Sequence, residues 1–281
     1  MKRSTKIWLT VALLLIVVGS ILLSVFLSAF DWDNSKEFEE KTYTTEETFE
    51  NILVDVDAAD VFIKLSTDWG WRVNYCEDVK RPVSVKVENN TLIVQEQDER
   101  AWYEYMGIHL TRPRIEIEVP RKALDSLNIQ AVAGDIVLND HSINSLNLSA
   151  SAGDICLNNI TCAGNIDIHL TTGSVYLSGV TCQNFTTQGS TGDVRLSNTV
   201  ITDTLSIRRS TGDIDLTSTD AAHLILKTTT GDITCSLLTD KVYEPHTTTG
   251  EIHIPQSGGN GKCEVTTTTG DIAITVCNKK Q

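Results

Sequence analysis

A glycine followed by an acid, or a close variant of that pair, returns through the second half of the chain at Gly134, Gly153, Gly173, Gly192, Gly212, Gly231, Gly250 and Gly270, at spacings of 19, 20, 19, 20, 19, 19 and 20. So tight a period constrains the fold more than composition does, because every repeat must set the same kind of side chain in the same place. Seven and five residues before each glycine, and two and four after it, lie 32 positions, of which 30 are apolar; Thr187 and Pro245 are the exceptions. Six and four residues before it, 15 of 16 positions are polar, Ile225 being the odd one. Alternation at period two means strands with one dry and one wet face.

A string of antiparallel hairpins could carry this alternation, but it would not need one residue type at one place in every repeat. The position before the glycine reads Ala133, Ala152, Thr172, Thr191, Thr211, Thr230, Thr249 and Thr269. Stacked coils would place those side chains in a file, with parallel strands about 4.8 Å apart. A slip of one residue would turn the core outward, so the extra residue of the longer repeats must be absorbed at a corner, for which Ala163 and Gly164 are suited. The pattern predicts an all-β fold, a single-stranded parallel β-solenoid of about eight coils over residues 121–281.

The repeated pair has a structural explanation. A bend completed within two or three residues needs positive φ, which glycine adopts without a Cβ clash. The acids that follow are Asp135, Asp154, Asp193, Asp213, Asp232, Glu251 and Asp271, with Ser174 breaking the series. Like charges at coil spacing repel by about 1 kcal/mol per neighbouring pair in water and about four times that near a protein surface. Something must offset this, and the expectation is that each carboxylate accepts hydrogen bonds from its own turn. A calcium file fits less well, because such repeats supply more oxygen ligands from a second glycine-rich turn.

Of the seven cysteines, Cys235 and Cys263 fall on core positions, while Cys162 and Cys182 occupy matching "ITC" and "VTC" corners of successive repeats. Stacking would bring the latter pair within the range a disulfide allows, in a compartment that permits one, but an unpaired ladder of thiols is the expectation and the bridge its alternative. The odd count and the absence of a close ligand pair argue against a zinc site, and no metal or cofactor is expected. The six histidines are scattered, and there is no Gly-x-Ser-x-Gly elbow, phosphate loop or HExxH, so no catalytic residue is assigned. A polysaccharide-active β-helix enzyme is the enzymatic rival, but the turns are too short to build its cleft.

Residues 7–30 carry no charge and would reach roughly 36 Å as a helix, enough to cross a bilayer. Lys2, Arg3 and Lys6 precede them and an acidic run from Asp31 to about residue 45 follows. This predicts an uncleaved signal anchor with residues 1–6 in the cytoplasm and the rest outside. A cleaved signal would have a shorter apolar region and small residues before the cut. Residues 31–281 carry 20 basic and 37 acidic side chains, a net of −17, which excludes nucleic acid as a natural partner.

Residues 46–120 read as a different β region, with "DAADVFIKL" resembling a worn repeat, and are expected to cap the solenoid. The other end stops soon after "GDIAITVC", which makes self-association through an open edge an expectation. Trp69, Trp71, Trp102, Tyr103 and Tyr105 lie in two connections. Aromatic side chains in loops stack on sugars or cover a core, and these five are the candidate ligand-binding residues.

A strand ending in "IEVP", a short link, "LDSLNIQAVAGDIVL" and the run of "TTGDI"-like turns resemble the putative-adhesin β-strand-repeat family, over about residues 46–277. The resemblance implies a bacterial, Gram-positive surface or membrane-associated protein and no defined chemistry. The aromatic loop at 101–106 and "QSGGNGK" before the last repeat depart from the family pattern. The expected function is therefore non-enzymatic binding at the cell envelope, to a glycan or another envelope protein. A self-assembling scaffold is the alternative.

Overall fold

The computed structural model describes residues 15–21, 24, 39–67, 70–77, 81–97, 113–256 and 258–277. The chain divides into two compact units, Met1–Glu37 and Phe38–Gln281. In the first, residues 15–21 are helical. Most of the apolar segment 7–30 lies outside the described residues, and among those described no helix is long and apolar enough to cross a membrane.

The second unit is all-β, built from a 12-stranded and a 14-stranded sheet. Each repeat gives one strand to each sheet, and pairing from repeat to repeat is parallel and in register. Thus Leu127, Leu146, Ile166, Phe185 and Leu205 succeed one another in the larger sheet, and Ile136, Ile155, Val175, Val194 and Ile214 in the smaller. The alternation explains the burial. Alternate positions of each strand turn into one hydrophobic core between the sheets, where all of these side chains are at most 1% exposed. Each such Leu, Ile or Val contributes about 1.5–3 kcal/mol relative to an exposed one. The extra residue of the longer repeat falls at Ala163–Gly164: Ile143 and Asn147 face Cys162 and Asp167 across that corner.

The order of the stack departs from the order of the chain at both ends. The last strands, Lys262–Thr269 and Ile272–Val276, insert between His223–Lys227 and Val242–Thr249 in one sheet and between Ile233–Leu237 and Ile252–His253 in the other. The Gly250 repeat is therefore outermost, and the open edge is formed by Val242–Thr249 and not by the last strand. This corrects the expectation of simple succession and of an edge at the chain's end. Pro245 fits its place, because a proline is tolerated on an edge strand where its missing N–H leaves no ladder bond unmade. Gly259 and Gly261 route the return: a Cβ on either would stand 1.8 Å from the Asp240 oxygen or 2.3 Å from the Ala222 oxygen.

At the other end, Asn51–Ala58 and Asp60–Leu65 pair directly with Leu124–Ala133 and Ile136–Asn139, so "DAADVFIKL" is a true rung with Ala59 in the glycine position. Thr91–Glu96 and Arg114–Val119 lie outside it. Antiparallel strands Val83–Glu88, Trp71–Glu77 and Glu39–Thr45 complete that end.

The repeated glycines meet two demands at once. Gly173 has φ +133°, and a Cβ there would lie 1.8 Å from the carbonyl oxygen of Gly153, the glycine of the rung before. Close approach between rungs, in addition to the positive φ of a bend, excludes a side chain. A second corner also runs at positive φ through Asp140, Asn159, Gly179 and Asn198. There Asx residues suffice, as expected for side chains that tolerate the left-handed region.

Candidate functional site

The acids of the repeat do not serve their own turns. Asp60 Oδ1 accepts the backbone N–H of Asp135 at 2.9 Å, Asp135 that of Asp154 at 2.8 Å, and Asp154 that of Ser174 at 2.8 Å. After Ser174, whose hydroxyl accepts from Asp193 at 3.3 Å, the ladder continues Asp193 to Asp213, Asp213 to Asp232, Asp232 to Asp271 and Asp271 to Glu251. Each carboxylate caps the next rung, which corrects the own-turn expectation. Hydrogen bonds to a charged acceptor contribute about 1.5–3 kcal/mol each, which exceeds the repulsion of about 1 kcal/mol per pair felt in water and offsets much of the larger value near a protein surface. Glu251 departs from Asp at the last rung in space, where no further N–H awaits. The ladder is structural, and among the described residues no group of three or more His, Cys, Asp or Glu is placed to hold a metal ion.

Polar side chains not absorbed in this way gather on the outer face of the larger sheet. His169, Gln188, Arg208 and Lys227 are in register on four successive strands, all pointing to solvent. Beneath them Arg209 is 5% exposed. Its guanidinium donates to the carbonyl oxygen of Leu170 at 3.0 Å and to Thr187 Oγ1 at 3.3 Å, while its Nε has no partner. Desolvation lowers its pKa to about 10. The side chain passes through the space that a side chain at Gly189 would fill, since a Cβ there would stand 1.7 Å from Arg209 Nη1. Pairing between Asn165–Thr172 and Asn184–Thr191 is interrupted at the same level, between His169↔Gln188 and Thr172↔Thr191. Above it the sheet carries an open depression lined by His169, Gln188, Gly189, Arg208 and Arg209 among others.

Arg209 is exceptional among buried cations. Arg81 has Glu96 at 3.5 Å and Lys241 has Asp220 at 2.9 Å, but among the described residues Arg209 makes no ion pair. A buried charge without a counter-ion is costly, and equivalent positions in other rungs hold Ala131, Ala150, Leu170, Thr228, Thr247 and Thr267. Two neighbouring departures accommodate it, the polar Thr187 in a core file and the glycine at 189. Sequence reasoning singled out Thr187 as an exception but not Arg209. The signal lay three residues before each repeat glycine, a column of uncharged residues broken by one arginine.

The family model described as Toastrack DUF4097 matches residues 49–281. The chain belongs to that family. Among solved structures, this Toastrack chain is similar to a putative adhesin from Bacteroides fragilis, with 16% identity, a TM-score of 0.52 and coverage of 86% of this chain and 98% of that one. It is also similar to a putative lipid binding protein from Parabacteroides distasonis, with 16% identity, a TM-score of 0.48 and coverage of 86% and 97%. At such identity the former likeness bears on fold alone. No curated protein matches the sequence.

Of the residues expected to bind a ligand, the Toastrack fold buries Trp71, 9% exposed, in the strand Trp71–Glu77. Its ring lies on Phe49 with centroids 3.8 Å apart. Trp71 is a core residue and is withdrawn as a binding residue, because its strand alternation turns it inward. Trp69, Trp102, Tyr103 and Tyr105 lie outside the described residues. The bridge that stacking would allow between Cys162 and Cys182 is not formed: both are buried free thiols, stacked unpaired. Burial pushes the Cys182 thiol up to about 12, and the Cys162 Sγ lies 3.4 Å from the Asn165 carbonyl oxygen. Burial thus favours the neutral thiol over the thiolate that disulfide exchange requires.

Proposed function

We propose that this Toastrack protein is a non-enzymatic binding protein of the bacterial envelope, of the adhesin kind, anchored through residues 7–30 with residues 31–281 outside the cytoplasm. The observation that carries binding is the row His169, Gln188, Arg208 and Lys227, in register on the outer face of the larger sheet. In a region of net charge −17, neither Arg208 nor Lys227 is neutralised by an ion pair among the described residues. The repeated acids other than Glu251 are, by contrast, committed to backbone donors, which supports a binding surface over a catalytic one. Anchoring is supported by the uncharged segment and by Leu15, Ile16 and Ile21, which are 65, 64 and 57% exposed on the helical stretch.

The test uses the full chain in neutral detergent, retained on purified envelope polysaccharide. Retention is expected to fall on the double change Arg208→Glu, Lys227→Glu and to survive Arg195→Glu on the opposite sheet. Equal retention by all three proteins would remove the face from consideration. Loss confined to Trp102→Ala or Tyr105→Ala would move the site to the aromatic loop. Anchoring is tested separately, by protease accessibility in intact cells, where protection of the C-terminal unit would contradict it.

The scaffold reading draws on the open end. Val242, Ile252 and Ile254 are 46, 41 and 39% exposed there, beside unpaired strand edges. Sedimentation of the detergent-solubilised chain at rising concentration would show growing mass if the ends associate and a constant mass if they do not.

A further inference from the structure

We propose that Arg209, Thr187 and Gly189, together with Arg208 on the surface above, form a binding site for a phosphate-type oxyanion. This rests on the outer sheet face being the binding face. Three departures from the repeat, in two adjacent strands, converge on one side chain: Thr187 supplies an oxygen where other rungs have an apolar residue, Gly189 vacates the space, and Arg209 fills it. A mere fastening of the Leu170 carbonyl does not require this arrangement, since Thr228 and Thr267 at the same position hold the glycine carbonyls of neighbouring rungs at 3.1 and 3.0 Å. Arg209 brings a full charge instead, 95% removed from solvent by its 5% exposure, with Nε unpartnered and no carboxylate in contact.

An anion is what completes such an environment. A guanidinium presents five N–H donors in a planar fork matched to carboxylate and phosphate oxygens, and only two bonds to it are made within the protein. Arg208 lies one residue away on the solvent side, its Nη1 held at 3.2 Å by Ser206 Oγ. His169 and Gln188 complete the rim of the depression. The depression is open, so it takes a terminal anionic group and leaves the rest of the molecule outside. A free phosphate and a phospholipid headgroup offer the same chemistry.

The experiment is isothermal titration of the full chain in neutral detergent, at ionic strength held constant with chloride. The probes are inorganic phosphate and glycerophosphoglycerol, the phosphodiester headgroup of phosphatidylglycerol. Wild type is expected to bind at least one of them. Binding of the diester assigns a lipid headgroup, and binding of phosphate alone assigns the free ion. Arg209→Met is expected to weaken binding by about tenfold or more. Because that variant removes a buried side chain, Arg208→Gln provides a second test: weaker binding at an unchanged melting temperature. Absence of binding by wild type, or unchanged binding in both variants, overturns the site. If polysaccharide retention still depends on Arg208 and Lys227 while phosphate does not bind, the oxyanion site alone fails. If phosphate binds while retention ignores the face, it is the function of the face that fails.

Discussion

Asp154 Oδ1 accepts the backbone N–H of Ser174 at 2.8 Å, so the acid of one rung closes the turn of the next. Asp154→Ala leaves that N–H without its acceptor and is expected to lower stability by about 1–3 kcal/mol. Asp154→Asn keeps a side-chain oxygen in place and relieves repulsion from Asp135, so its loss is expected to be under about 1 kcal/mol. Urea unfolding of both variants checks this. Equal losses would mean that the charge, and not the acceptor, matters.

Gly173 and Gly179 both have positive φ, yet only one must be glycine. At Gly173 a Cβ would collide with the Gly153 carbonyl oxygen at 1.8 Å, and Gly173→Ala is expected to cost at least about 3 kcal/mol. Gly179 shares its corner with Asn159 and Asn198, at φ 53° and 48°. Gly179→Asn is therefore expected to stay within about 0.5 kcal/mol of wild type. Melting curves of the two variants decide the matter.

The interleaved end is open to a direct chemical test. Thr229 neighbours Thr268, whose N–H donates to the Thr229 carbonyl oxygen at 3.2 Å, whereas Thr248 belongs to the outermost rung. With Cys76, Cys156 and Cys277 replaced by serine, the pair Thr229→Cys, Thr268→Cys is expected to oxidise to a crosslink. The pair Thr229→Cys, Thr248→Cys is expected to remain reduced, being two rungs or about 10 Å apart. The opposite pattern would restore simple succession.

His141 is 3% exposed, with Nε2 unpartnered, and burial holds its pKa below the usual histidine value despite Asp140 and the Asn139 carbonyl. The unfolded chain therefore takes up a proton first as pH falls. Stability is full above the ordinary histidine range of about 6.5 and declines as pH drops from there toward the lowered folded value. Melting temperature followed from about pH 7.5 to about pH 5 should fall more steeply in wild type than in His141→Asn. Parallel curves would clear His141 of that role.

The strands, their inward faces and the glycine turns were legible because period-two alternation and a 19- or 20-residue repeat are local properties. The corner at Ala163–Gly164 could be placed for the same reason. Trp71 misled, since an aromatic residue beside a turn looks the same whether its ring lies on Phe49 or faces a ligand. Arg209 escaped notice because its meaning depends on Gly189 and Leu170, 20 and 39 residues earlier. An arginine in a strand is ordinary until the strand's inward face and the vacancy beside it are known.

The amino-acid sequence by itself determined the rung: two strands, a glycine-acid bend, a dry side and a wet side, written so regularly that little else could form. It did not determine the order of the rungs. Every rung offers its neighbour nearly the same Thr, Gly and Asp edge, so Gly231 can be followed equally well in space by Gly250 or by Gly270. Tertiary structure decided between them, through Gly259 and Gly261, which let the returning chain pass close to Asp240 and Ala222, and through an outermost rung where Pro245 and Glu251 need give nothing to a further neighbour.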